Sequence, residues 1–196
     1  MTTERVRIPG TRPVRGSLDS DDGDARAVVV AAPPHPQCGG DRHDGRLRAV
    51  SAALPEGIDC LRFDYGPWDE GRGERADARA AREWAADRYD RVALFGYSFG
   101  GGVALLTAAA VSGPVAALSP VARLDDGSDV VAAVDRVDDP LWVGYGIRDD
   151  TVDAERVGEA VGGRGGTVET FPADHVFVGR EARVGSAVAA FFEDVL

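Results

Sequence analysis

Arg91-Val92-Ala93-Leu94-Phe95 runs directly into Gly96-Tyr97-Ser98-Phe99-Gly100, and a small, helix-forming stretch follows to Val111. An apolar run before the glycines and a helix after them place Ser98 on a sharp strand-to-helix turn, the context in which G-x-S-x-G reads as a nucleophile elbow. Such a turn holds the serine in strained backbone, so its neighbours two positions away must lack bulk. Gly96 and Gly100 meet that demand. The helix N-terminus beyond them favours negative charge developing next to the serine.

Working outward, apolar β-branched runs alternate with Ala/Arg/Glu-rich amphipathic ones, the pattern of βαβ units around a parallel sheet. Strands are expected over residues 25–32, 60–65, 91–96, 114–119, 141–146 and 167–171. Helices are expected over 42–54, 74–88, 100–111, 154–161 and 181–193, with a short one within 129–137. Residues 25–32 (ARAVVVAA) are apolar throughout, as a strand covered on both faces must be. Residues 4–8 and 13–18, parted by Pro9-Gly10, read as an antiparallel hairpin, so 1–24 form a hairpin and an acidic loop leading into a single α/β domain. No large insertion separates the strand ending near 119 from the one starting at 141. A lid is therefore not expected, and an open site suits small or accessible substrates.

The 196 residues suffice for one such domain, and 44% hydrophobic with 28% charged residues is ordinary for a soluble globular chain. No apolar run approaches the roughly 20 residues of a membrane span, and Met1-Thr2-Thr3-Glu4-Arg5 lacks the apolar segment of a secretion signal. A cytoplasmic location is expected. Cys38 and Cys60 are too few for a disulfide framework. The net charge is −11, and all 22 basic residues are arginine. An acidic surface disfavours nucleic acid and anionic membranes as partners and resembles that of salt-adapted proteins, where concentrated ions screen self-repulsion.

A serine hydroxyl is a poor nucleophile until a histidine takes its proton and a carboxylate orients that histidine. In the strand–elbow–helix arrangement the chain order is Ser, then Asp or Glu, then His. Of His35, His43 and His175, only His175 follows Ser98. It lies just beyond the strand-like run 167–171, where a side chain can reach back to the sheet's C-terminal edge. The acid belongs beyond strand 141–146. There Asp149 and Asp150 both qualify by position, Asp149 being preferred and Asp153 and Asp139 less well placed. Two backbone N–H groups must hold the oxyanion. One is that of Phe99. The other should come from the loop Pro33-Pro34-His35-Pro36-Gln37-Cys38-Gly39-Gly40. Its prolines have no N–H, which leaves His35, Gln37 and Cys38, with Gln37 preferred. His35 itself is expected to prop that loop, and Cys38 lacks an elbow of its own.

Taken as an ordered set, PPHPQCGG, Gly71-Arg72-Gly73-Glu74 with Asp77 and Trp84, GYSFGG, GIRDDTV and ADHVF resemble a compact lidless branch of the α/β-hydrolases. The branch is dienelactone-hydrolase-like and carries an HPHP-x-x-GG loop. The resemblance spans residues 28–192 and implies the α/β-hydrolase fold, a mostly parallel sheet with helices on both faces and no lid domain. It also implies a Ser98, Asp149, His175 triad. Pro33 stands where the loop's first histidine is expected, and Asp64-Tyr65-Gly66-Pro67-Trp68-Asp69 replaces an Arg/Gly-rich stretch. Dienelactone hydrolases proper use a cysteine nucleophile; this chain has Ser98. The expected activity is cleavage of an ester or related acyl bond of a small molecule, with no metal and no organic cofactor. A catalytically idle fold used for binding, and a peptidase or acyltransferase on the same triad, are the alternatives. Trp68, Trp142 and Tyr97 are candidate pocket residues, with core packing the favoured role for each.

Overall fold

Alternation along one apolar strand organises the molecule, seen here in a computed structural model that describes residues 1–21 and 25–196. In β3 (Ala27–Ala32), Val28, Val30 and Ala32 enter one hydrophobic core, and Ala27, Val29 and Ala31 enter a second on the opposite face. Both faces of the strand are covered, which is why it carries no polar residue. The sheet has eight strands in the order β1-β2-β4-β3-β5-β6-β7-β8. The flanking strands are β4 (Ile58–Phe63), β5 (Arg91–Tyr97), β6 (Val115–Leu118), β7 (Leu141–Gly146) and β8 (Thr167–Phe171), all parallel to β3. The hairpin of β1 (Thr2–Ile8) and β2 (Val14–Ser20) joins antiparallel to β4 and forms one edge.

Helices α1 (Gly45–Ala53) and α6 (Glu181–Val195) cover the face that buries Phe95 and Tyr97. On the other face lie α2 (Arg72–Ala86), α3 (Phe99–Ala108), α4 (Val130–Val134) and α5 (Ala154–Gly163). The fold is that of the α/β-hydrolases. Between β6 and β7 only α4 is inserted, and no lid domain is evident among the described residues. No helix among them is long and apolar enough to cross a membrane.

Local chemistry sets the helix ends that hydrophobic periodicity missed. The first helix begins at Gly45, not at 42, because Asp44 caps it by accepting the N–H groups of Arg46 (2.9 Å) and Leu47 (3.4 Å). Arg42 is drawn aside instead, its N–H donating to Asp64 at 2.9 Å. Conversely α2 begins before Glu74. That buried carboxylate accepts the N–H of Gly71 (2.8 Å) and of Asp69 (3.0 Å), so it caps the helix from inside the first turn. The acidic loop expected to follow the hairpin reaches residues 22–24, which lie outside the described residues.

Candidate active site

Ser98 sits between β5 and α3 with φ 57° and ψ −120°, a positive-φ conformation that few non-glycine residues adopt. The turn is tight enough to dictate its neighbours. A Cβ at Gly96 would overlap the carbonyl of Gly100, and one at Gly100 would overlap the carbonyls of Ala32 and Pro33. The second contact also presses the start of α3 against the end of β3, beside the loop that follows it. Ser98 N–H donates to Leu118 O at 2.8 Å, and its carbonyl accepts from Gly102 (3.2 Å) and Val121 (3.3 Å). The strained residue is thus held from three sides.

Ser98 Oγ lies 3.0 Å from His175 Nε2, and His175 Nδ1 lies 2.8 Å from Asp149 Oδ2. The other oxygen of Asp149 accepts the N–H groups of Thr151 (3.1 Å) and Val152 (3.3 Å). Its side chain is only 2% exposed, so its charge is stabilised by hydrogen bonds in place of water. The arrangement fixes the imidazole with a proton on Nδ1 and a lone pair toward Ser98, an assignment that follows from the acceptor at Asp149. Asp150 is exposed and holds no hydrogen bond among the described residues. Asp153 is the N-cap of α5, and Asp139 accepts the N–H of Gly113 at 2.8 Å.

The loops that carry the acid and the base are stitched together. Ile147 N–H donates to Phe171 O (2.9 Å), Arg148 N–H to Ala173 O (3.0 Å) and the Arg148 guanidinium to Pro172 O (3.1 Å). Asp174 shapes the bend after the base by accepting from Val176 (3.0 Å) and Phe177 (3.2 Å). Tyr97 anchors the same loop, its hydroxyl donating to His175 O at 2.9 Å. Burial pushes that phenol up to about 12, so it stays a donor. The Arg46 guanidinium lies 4.4 Å above the Tyr97 ring and donates to Val176 O at 3.3 Å. Local sequence gave no sign of this contact, since Val176 is 130 residues away from Arg46, which also pairs with the nearby Asp44.

The expected oxyanion donors divide. Phe99 opens α3, and no acceptor meets its N–H among the described residues. Gln37 differs from expectation: its N–H donates to His35 Nδ1 at 3.2 Å. The cause is a 3-10 turn over Pro36–Cys38, which points successive N–H groups back at His35. Cys38 and Gly40 donate to the His35 carbonyl, each at 3.0 Å, and Gly39 donates to Pro36 O at 3.1 Å. His35 N–H is the loop donor left without an acceptor among the described residues. The ring of His35 packs against Trp68 (4.5 Å between centroids) and Phe99 (4.9 Å), and its Nε2 lies 3.3 Å from Asp125. Trp68 is half-buried at this edge, whereas Trp142 is core, 2% exposed and packed on Phe171.

Residues 68–195 match the family model of the dienelactone hydrolase family. Among solved structures, an α/β serine hydrolase homologue from Coxiella burnetii superposes with a TM-score of 0.83 at 23% identity, covering 97% of both chains. A lidless α/β serine hydrolase from Xanthomonas campestris gives 0.81 at 24%, covering 100% of this chain and 96% of its own. A dienelactone hydrolase from Anabaena variabilis gives 0.83 at 20%, covering 100% and 98%. Likeness at this level of identity is a likeness of fold. Sequence comparison with the curated proteins finds no match.

Proposed function

The chain belongs to the dienelactone hydrolase family and is a hydrolase, and we propose that it cleaves the ester or related acyl bond of a small molecule through Ser98, His175 and Asp149. The observation that carries this reading is the unbroken line of hydrogen bonds from Ser98 Oγ through the imidazole to Asp149, at 3.0 and 2.8 Å. Ser98 Oγ attacks the carbonyl carbon as His175 Nε2 takes its proton. Asp149 holds the ring and stabilises the imidazolium that forms. The same proton passes to the departing alkoxide, leaving an acyl-enzyme. Water, deprotonated by His175, then releases the acid and restores Ser98. No metal or organic cofactor enters any step.

The oxyanion is assigned to the N–H of Phe99 and the N–H of His35, each worth roughly 3 kcal/mol to the transition state. His35 is chosen over Gln37 because Gln37 N–H is already spent on the His35 ring. Its place just beyond Pro33, whose carbonyl lies against Gly100 of the elbow, supports the choice.

The test is intact-mass analysis after treatment with a fluorophosphonate. One adduct is expected, lost in Ser98→Ala. Labelling that survives in Ser98→Ala overturns the nucleophile. Absence of labelling in the parent chain would favour a binding protein on a hydrolase fold. Turnover of a panel of short aryl esters, thioesters, lactones and peptides separates esterase from peptidase, and added alcohol or amine acceptors reveal acyl transfer.

A further inference from the structure

A basic concavity lies away from Ser98, where the N-terminal hairpin meets α2. Its volume is about 890 Å³, within the range of roughly 300–1,000 Å³ typical of small-molecule sites. Five arginines line it: Arg7 from β1, Arg72, Arg75 and Arg79 from successive turns of α2, and Arg88 just beyond that helix. Glu83 and Asp87 line it as well, so guanidinium groups outnumber carboxylates on its walls. This occurs in a chain whose net charge is −11.

Three of the arginines have partners within the chain and two do not. Arg75 is tied to Asp126 at 2.6 Å, and Arg72 to Glu70 and Asp69 at 2.9 and 3.2 Å. Arg88 lies 4.1 Å above the ring of Trp84 and donates to that residue's carbonyl at 2.8 Å. The side chains of Arg7 and Arg79 form no hydrogen bond or ion pair among the described residues. The strand register also sets Arg7 directly opposite Arg15. Like charges so placed destabilise an antiparallel pair unless an anion screens them. Arginines on an edge hairpin can serve to block strand-to-strand association, but that role does not explain the row on α2.

Concave walls of one charge focus the field, and the guanidinium fork matches phosphate oxygens two at a time. Arg75 and Arg79 stand about 6 Å apart along the helix axis, a spacing that lets neighbouring forks engage successive groups of a short chain. We propose that this groove binds a compact ligand carrying linked phosphates, gripped by Arg79 on α2 and Arg7 on the hairpin. The chain's net charge of −11 repels a long polyanion, which favours a small molecule as the occupant.

Calorimetric titration with sodium tripolyphosphate in about 0.1 M KCl, where the screening length is about 10 Å, tests this directly. A single site is expected. Arg79→Ser and Arg7→Ser should each weaken it by about tenfold or more. Arg156→Ser, on α5 and outside the groove, should leave it unchanged, and orthophosphate should bind at least tenfold less tightly. Binding should change tryptophan fluorescence in the parent chain and not in Trp84→Phe. The proposal is overturned by absence of binding, by equal weakening in Arg156→Ser, which would mean diffuse attraction, or by orthophosphate binding as tightly as tripolyphosphate. Thermal melts of each variant confirm that the hairpin still docks.

Discussion

The imidazole of His35 accepts the N–H of Gln37 at 3.2 Å, and this one bond decides which donor of the loop remains open. It also sets the tautomer of His35: Nδ1 carries the lone pair, leaving Nε2 to face Asp125 at 3.3 Å. Removing the open N–H with His35→Pro should lower kcat by about 10²–10³. His35→Ala keeps the N–H and loses only the prop, so it should cost far less. Gln37→Ala should be close to the parent. Steady-state kinetics settle the ranking once circular dichroism and fluorophosphonate labelling show an intact elbow in each variant. A labelled, folded His35→Pro enzyme with near-normal kcat would return the role to Gln37.

Two adjacent aspartates offer a second test. Asp149 reaches His175 while Asp150 stands in solvent. Asp149→Asn should lower kcat by up to about 10⁴-fold, because an amide no longer enforces the productive imidazole tautomer. Asp150→Asn should change it less than about threefold. The opposite ranking would move the acid by one position and leave the rest of the site as described.

Acid stability should report on a pair far from the chemistry. Asp19 of β2 is buried and receives Arg62 at 2.6 and 2.9 Å, Ser51 at 2.6 Å and Thr3 at 2.7 Å. Burial alone would raise its pKa; the hydrogen bonds from Arg62, Ser51 and Thr3 outweigh that and hold it below the ordinary 3.8. The folded state therefore binds fewer protons here than the unfolded chain. The stabilisation is complete above the ordinary carboxylate range and is lost as pH falls through the folded value, from about pH 4 downward. Asp19→Asn should cost about 3–5 kcal/mol at neutral pH, since it strands the Arg62 charge in the interior. It should also flatten the dependence of Tm on pH below about 4. Melting curves across pH 2–7 (the range is roughly that of carboxylate titration) would reject the idea if both proteins decline in parallel.

The composition predicts a response to salt. With 33 acidic residues against 22 basic ones, self-repulsion weakens as the screening length shrinks. Tm should rise between dilute and molar KCl. NaClO4, which screens charge without strengthening apolar burial, should reproduce the early part of that rise. A flat response in both salts would mean that the acidity reflects genome composition and not adaptation to brine.

How far the sequence could be read depended on the range of the interaction concerned. Strands β7 and β8 were legible to the residue, because an apolar run ending at Gly146 and a β-branched run ending at Phe171 are set by local pattern. Ser98, Asp149 and His175 were found from chain order and the scarcity of histidines, and their side chains do meet. The state of Gln37 was not legible. Counting prolines reveals which residues own an N–H, but only the folded turn shows that a ring nitrogen two residues back has claimed it. The same holds for Arg42, pulled out of the expected helix by Asp64, and for the reach of Arg46 to Val176.

The bonds that stitch the loop after β7 to the loop after β8 turn the carboxylate and the imidazole into one mechanical body. Ser98 belongs to another, clamped between β5, α3 and the end of β3. The two bodies are joined by β6, which has only four residues, and by the Tyr97 hydroxyl on the carbonyl of His175. Thermal loosening of the sheet would thus widen the gap between serine and imidazole long before it disturbed the imidazole and its carboxylate. Heat inactivation of this protein is therefore expected to begin at that seam, with the serine parting from the imidazole before the imidazole parts from its carboxylate.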